Sequence, residues 1–347
     1  MASPAPPHPV PSSWPAVAKA VALLTIIISV LLTAFAWPAV RSSIHDVPIA
    51  VAGPAATADQ ISAALEQRLP SAFDITRVTG TAAAEKLIRD RDVYGAIDVS
   101  TGTPRVLTAS AGSTSVAQTL QAVGTALAQA QAQGATPAVA VQDIVALPVD
   151  DPRGAGLAAG ALPLVLGGML AAVLLTRLVR GRVRRIVGAF GFAGTGGLAM
   201  AAILQVWLGS LGGTYLANAG AIALTIAATS LFILGLESLL GYAGFGIGSA
   251  TMMLIGNPLS GTSTAPEMLP GWSGALGQLL PPGAGGQLLR STAYFGGHGD
   301  AQPIIVLLTW LVVGAALSLL GHHRSRRATT ATPAHAAPAE PNSYATA

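Results

Sequence analysis

Residues 156–208 read GLAAGALPLVLGGMLAAVLLTRLVRGRVRRIVGAFGFAGTGGLAMAAILQVWL. Two apolar runs, Gly156–Thr176 and Ile186–Leu208, flank a cluster of five arginines: Arg177, Arg180, Arg182, Arg184 and Arg185. Each run has about the 20 residues that a helix needs to cross the hydrocarbon of a bilayer. Short flanks rich in Lys and Arg stay on the cytoplasmic side. The stretch therefore predicts a transmembrane hairpin with its tip inside, and that fixes the sidedness of everything around it.

Working outward, a run at Val17–Trp37 precedes the hairpin, with Lys19 near its start, and a run at Pro303–Leu320 ends the apolar pattern. Ala217–Pro258 is about twice the length of one span. Glu237 divides it, so it reads as two spans joined by a turn over Glu237–Gly241. The expectation is an α-helical polytopic membrane protein with six transmembrane helices. Composition agrees: of 347 residues, 52% are hydrophobic and 10% charged, against roughly 25% charged in a soluble domain.

Residues 41–153 interrupt this pattern with eleven of the fifteen acids and eight bases. Val47–Gly53, Phe73–Val78, Tyr94–Val99, Arg105–Ala109 and Val139–Leu147 read as strands. Thr57–Leu69, Thr81–Arg91 and Ser115–Gln133 read as helices, with Asp59 in the first turn of one, Thr81 as a cap, and Glu85 and Arg89 paired at i,i+4. The alternation predicts a small α/β domain between the first and second spans. With the arginine hairpin, Lys19, Arg324, Arg326 and Arg327 inside, the two sides carry +7 and −4, making up the chain's +3. The domain is thus expected outside and both termini inside. The positive balance then reports topology and attraction to anionic membrane lipid, not nucleic acid.

Residues 1–16, proline-rich, and 323–347, rich in Ala, Thr and Pro, read as disordered cytoplasmic tails. Ala34-Phe35-Ala36 fits a small-x-small cleavage site. The first span therefore reads either as retained or as a signal peptide, and its apolar length favours retention.

No enzyme constellation is present: no H-E-x-x-H, no G-x-S-x-G, no G-x-x-x-x-G-K-[ST] and no cysteine. No catalytic residue, cofactor or metal is expected, and the chain reads as a non-enzyme. Asp150-Asp151 reads as a cap or interfacial turn. Glu237, the only acid in an apolar stretch, reads as a turn residue at the inner surface, and Gln205 as an interhelical hydrogen-bonding group. Glycines crowd the third span (Gly188, Gly191, Gly194, Gly196, Gly197) and the fifth (Gly241, Gly244, Gly246, Gly248). They serve either packing within the bundle or a face between two copies.

The segment 259–300 is too Pro/Gly-broken to span, yet carries Trp272, Leu276, Leu279, Leu280, Leu288, Leu289, Tyr294 and Phe295. Two amphipathic pieces, Trp272–Leu280 and Ala284–Tyr294, are expected to lie at or dip into the outer interface, with Arg290 at headgroup depth. The remaining membrane domain is expected within 156–322.

The order of six spans, a large domain after the first and a broken segment before the last resembles the type-two class of ABC-transporter permeases. NPLSG (257–261), APEMLP (265–270), LLPPGAGGQLLR (279–290) and YFGG (294–297) are similar to the branch that includes the YhgE and phage-infection-protein-like membrane proteins. So are VPIAVAG (47–53), VYGAIDVS (93–100) and DDPRGAG (150–156). The resemblance covers about residues 15 to 322. It implies export of a lipophilic or amphipathic substrate, energy from a separate cytoplasmic ABC ATPase, and a homodimer enclosing the path. It also implies ATPase contact through Arg177, Arg180, Arg182, Arg184 and Arg185, and an outer gate involving Trp272, Leu280, Arg290 and Tyr294. One feature departs from the family: residues 1–14 lack the amphipathic helix often laid on the inner surface. The alternative reading is a non-transporting surface protein whose outer domain binds an envelope or extracellular partner.

Overall fold

The computed structural model describes residues 12–131 and 139–330, the side chains of 130, 131 and 322–330 excepted. Most of the proline-rich tail, the last two residues of the expected helix Ser115–Gln133, and 331–347 lie outside the described residues. The first helix, α1, is Trp14–Val40; Pro15 sits in its first turn, where a missing N–H is not needed.

A five-stranded lobe follows. Its elements are β1 (Val47–Ala52), α2 (Ala55–Arg68), β2 (Phe73–Val78), α3 (Thr81–Asp90), β3 (Gly95–Asp98), β4 (Arg105–Thr108), α4 (Thr114–Gln131) and β5 (Ala140–Asp143). The strand order is β2-β1-β3-β4-β5. β1 runs parallel to β2 and β3, β3–β4 is an antiparallel hairpin, and β4–β5 is parallel. Alternating side chains sort into two cores. Val47, Ile49 and Val51 pack under α2 and α4, while Ala50 and Ala52 face Ala84 and Ile88 of α3.

Two local readings change. Thr81 does not cap α3: Gly80 holds the N-cap position, and the Thr81 hydroxyl donates to Asp98 instead, at 2.7 Å. Asp59 is not in the first turn of α2, because the helix already begins at Ala55; it pairs with Arg77 at 2.9 Å. The Glu85–Arg89 pair forms at 3.0 Å.

The helical part contains α5 (Ala155–Leu178), α6 (Arg182–Ala201, continued by a π turn, Ala202–Trp207), α7 (Tyr215–Leu240) and α8 (Tyr242–Ala250, continued by a π turn, Thr251–Gly256). After it come α9 (Ser273–Gln278), α10 (Pro281–Tyr294) and α11 (Ala301–Thr330). Five helices are long and apolar enough to cross a membrane: Trp14–Val40, Ala155–Leu178, Arg182–Trp207, Tyr215–Leu240 and Ala301–Gly321. The chain is thus a helical membrane protein. The sixth expected span corresponds to the shorter apolar helix Tyr242–Gly256. Helix α11 continues past Leu320 to Thr330, into the region expected as tail.

Helix α7 is the hub, packed against α5, α6, α8, α10 and α11, with 78% of its apolar core buried. None of the corresponding core of α1 is buried. The turn after α7 falls at Gly241, whose φ of +62° favours glycine, and Glu237 lies in the last turn of the helix. The glycine-rich helices divide their faces. Gly188 meets Leu175 and Gly197 meets Ala219 and Ala223, whereas Gly191 and Gly194 face open space. Asp151 caps α5: its carboxylate accepts from the Ala155 and Gly156 amides at 2.8 and 2.7 Å. Gln205 does join neighbouring segments, donating to the Gly213 carbonyl at 3.0 Å and accepting from buried Asn218 at 2.9 Å.

Candidate functional site

Between α8 and α11 the chain folds into a hairpin of loop, α9 and α10. Leu280 is extended, as the residue before a proline prefers, and Pro281 and Pro282 open α10 where missing N–H groups are not needed. Every residue from Pro281 to Ser291 is buried. Helix α10 packs on α5, α7, α9 and α11. Helix α10 is therefore an interior helix of the protein. Glycine makes this seat possible. A Cβ at Gly285 would come within 2.4 Å of the Thr225 side chain on α7, so no larger residue fits the crossing.

The hairpin also completes the lobe. Ala265 and Met268 belong to the core under α2 and α4, and Phe295 belongs to the core on the α3 face. The Ser43 amide donates to the Met268 carbonyl at 3.0 Å. Arg91, at the end of α3, adopts φ +68°, a left-handed conformation that glycine takes more readily. From there its guanidinium donates to the Gln287 carbonyl at 3.2 Å, to the Gln287 side-chain oxygen and to Ser291 Oγ, and lies 5.1 Å from the Phe295 ring centre. Tyr94 Oη donates to Glu267 Oε2 at 2.9 Å.

Around these contacts is a cavity of about 400 Å³ lined by Arg91, Tyr94, Glu267, Gln278, Gln287 and Phe295, with Asp90, Asp92 and Asp300 also in its wall. Burial, then the nearby charge of Arg290, lowers the Arg91 pKa to about 10, so it stays cationic at neutral pH. Burial first, then the charge and hydrogen bond of Glu267, push the Tyr94 phenol far up. Tyr94 is a fixed donor and Glu267 its acceptor. Such a chamber offers orientation and polar recognition.

Of the four expected gate residues, Leu280, Arg290 and Tyr294 are carried by α10 and its cap; Trp272 is 70% exposed and apart from them. Arg290 is 5% exposed, because α10 is seated inside the protein. Tyr294 donates to the Ser210 carbonyl at 2.7 Å.

The five arginines also differ among themselves. Arg177 lies 5.3 Å from the Tyr242 ring centre, and Arg180 and Arg184 are exposed. Arg185 binds the α5 carbonyls of Thr176 and Val179, at 3.0 and 2.9 Å, and Glu237 at 3.4 Å. It thus secures the end of α5. Arg182 and Arg185 line a cavity of about 340 Å³ with Glu237 and Ser318.

No family model, curated protein or solved structure matches this chain.

Sequence reasoning did not single out Arg91, Tyr94, Glu267 or Gln287. One signal was present: Gln287 and Arg290 are three apart on an otherwise small and apolar helix, a spacing that puts both on one face.

Proposed function

We propose that the chain is the permease subunit of an ABC-type exporter of the bacterial inner membrane, moving a lipophilic or amphipathic substrate outward with energy from a separate ATPase. The α/β lobe lies outside, both termini lie inside, and α8 acts as a sixth, short span. Two copies enclose the path. The observation that carries this reading is the shared hairpin. Helix α10 is buried among α5, α7 and α11, and the residues around it in the hairpin, Ala265, Met268 and Phe295, supply core to both faces of the lobe. A passive anchor has no need for this linkage, whereas a transporter uses it to pass helix movement to an outer domain. The arginines at the α5–α6 tip, with the half-buried Arg182 and Arg185 beside a cavity, provide a basic face for an ATPase.

The cysteine-free sequence makes the topology directly testable. A membrane-impermeant maleimide is expected to label Thr103→Cys in intact cells and to reach Leu178→Cys only after lysis. Labelling of both in intact cells defeats the arrangement. Transport is tested in proteoliposomes with the candidate ATPase. ATP-dependent loss of an amphiphilic dye is expected, and it falls in the triple variant Arg180→Ala, Arg182→Ala, Arg184→Ala together with ATPase co-purification. No ATP dependence, with a tight extracellular partner on the lobe, favours the surface-protein alternative.

A further inference from the structure

Arg290 presents an unusual electrostatic situation. It is 5% exposed, and no carboxylate lies within ion-pair distance of it among the described residues. Its Nη2 donates to the Thr262 carbonyl at 2.7 Å and Nη1 reaches Gln287 only at 3.5 Å. Its Nε has no partner. A buried cation left this incompletely satisfied is costly.

Arg290 lines a cavity of about 90 Å³, roomy enough for several waters or one compact oxyanion. Ser113 and Thr114, at the start of α4, and Thr262, Ser263 and Thr264, in the hairpin loop, are in its wall, the Thr262 and Thr264 hydroxyls donating to Ser260 Oγ and to the Ala265 carbonyl. Arg153 adds a second cation, exposed and in no ion pair among the described residues. No acid lines this cavity. The nearest acid in sequence, Asp151, turns its carboxylate onto the Ala155 and Gly156 amides.

A second cavity of about 350 Å³ shares Ala158, Thr262, Ser263 and Thr264 with the first. Its other walls come from Phe35, Pro38 and Ala39 of α1 and Ala161 and Leu162 of α5, with Ser42, Asn257 and Ser260 as polar members. No acid lines it either. A cationic pocket thus adjoins a groove between two membrane-spanning helices.

We propose that these two adjoining cavities together bind one anionic phospholipid. The phosphate sits between Arg290 and Arg153, and one acyl chain lies along the groove between α1 and α5. Charge complementarity selects the anionic headgroup, and the adjoining groove selects a lipid over a soluble anion. Binding needs no ATP, so it stands or falls apart from export. If export is correct, the cleft makes anionic amphiphiles the matching cargo class.

The test uses the full chain in detergent, with bound lipid counted by native mass spectrometry after exchange against defined lipids. One phosphatidylglycerol per chain is expected to persist where phosphatidylcholine is lost. Loss of a charged hydrogen-bonding partner in Arg290→Gln is expected to weaken retention about tenfold or more. Millimolar inorganic phosphate is expected not to displace the lipid. Arg153→Gln and Ala161→Trp, at an exposed arginine and in the groove, are expected to reduce retention with unchanged melting temperature, so the proposal survives a failure of Arg290→Gln to fold. Equal retention of phosphatidylcholine, full displacement by phosphate, or wild-type retention in both Arg153→Gln and Ala161→Trp overturns it.

Discussion

Asp98 illustrates how single polar side chains hold the lobe together. Its side chain is fully buried, at the end of β3. Arg105 approaches to 2.7 Å, and Thr81 and Ser100 also donate to it. Burial alone would raise its pKa, but the donors from Ser100, Thr81 and Arg105 outweigh burial and hold it below the usual carboxylate range. A carboxyl depressed on folding stabilises the fold above its unfolded pKa, and that contribution is lost as pH falls through the folded value. The protection of the residue 95–108 amides against exchange, relative to the intrinsic rate at each pH, is therefore expected to fall in the full chain on acidification below about pH 4. Asp98→Asn is expected to lose about 2–4 kcal/mol of local stability at neutral pH and to flatten that acid response. An unchanged acid response in the variant counts against the assignment. Arg91 works differently, because its fork holds two hydrogen-bonding groups of Gln287 together. Arg91→Ala is expected to cost about 3 kcal/mol at the junction, read as faster exchange of residues 281–295. Arg91→Lys should recover little, since an ammonium lacks the planar fork.

At the scale of helices, close approach decides the packing. Gly235 on α7 meets Gly314 of α11, where a Cβ would lie 2.5 Å from the Gly314 carbonyl oxygen, and Gly285 of α10 meets Thr225. Gly285→Leu is expected to destabilise the seat of α10 by about 1–3 kcal/mol through overpacking. Thr225→Ala in the same chain is expected to restore part of that loss, and a double-mutant cycle with no coupling would refute direct contact. These crossings also explain what was legible beforehand. Long apolar runs such as Gly156–Thr176 signal their helices directly, and short apolar runs bounded by turn residues signal the lobe strands. The burial of α10 was hidden, because Pro-Pro-Gly-Ala-Gly-Gly lowers apolarity and its seat depends on Thr225, some 60 residues earlier. Arg91 was hidden for a similar reason: its partners lie about 200 residues downstream, and no local pattern records them.

Across the whole molecule, the lobe and the helices share one hairpin, so a displacement of either should be felt by the other. The chain lacks cysteine, so a single engineered pair reports on this without background. Arg91→Cys with Gln287→Cys, bridged by a cleavable bismaleimide, is expected to lower ATP-driven dye transport to the level without ATP, and cleavage should restore it. Full transport with the bridge intact would mean that the lobe does not follow the helices.

Helix α8 sets a further boundary. It has nine α-helical residues and six in a π turn before Asn257-Pro258. At 1.5 Å per residue the helix is about 22 Å long, against about 30 Å of hydrocarbon. In the six-span arrangement, its end falls short of the far leaflet's edge by several ångströms, and the mismatch is met by thinning of the surrounding lipid or by water reaching inward. Acyl-chain length thereby becomes a control on the protein: short-chain bilayers relieve the deficit at α8, and long-chain bilayers deepen it.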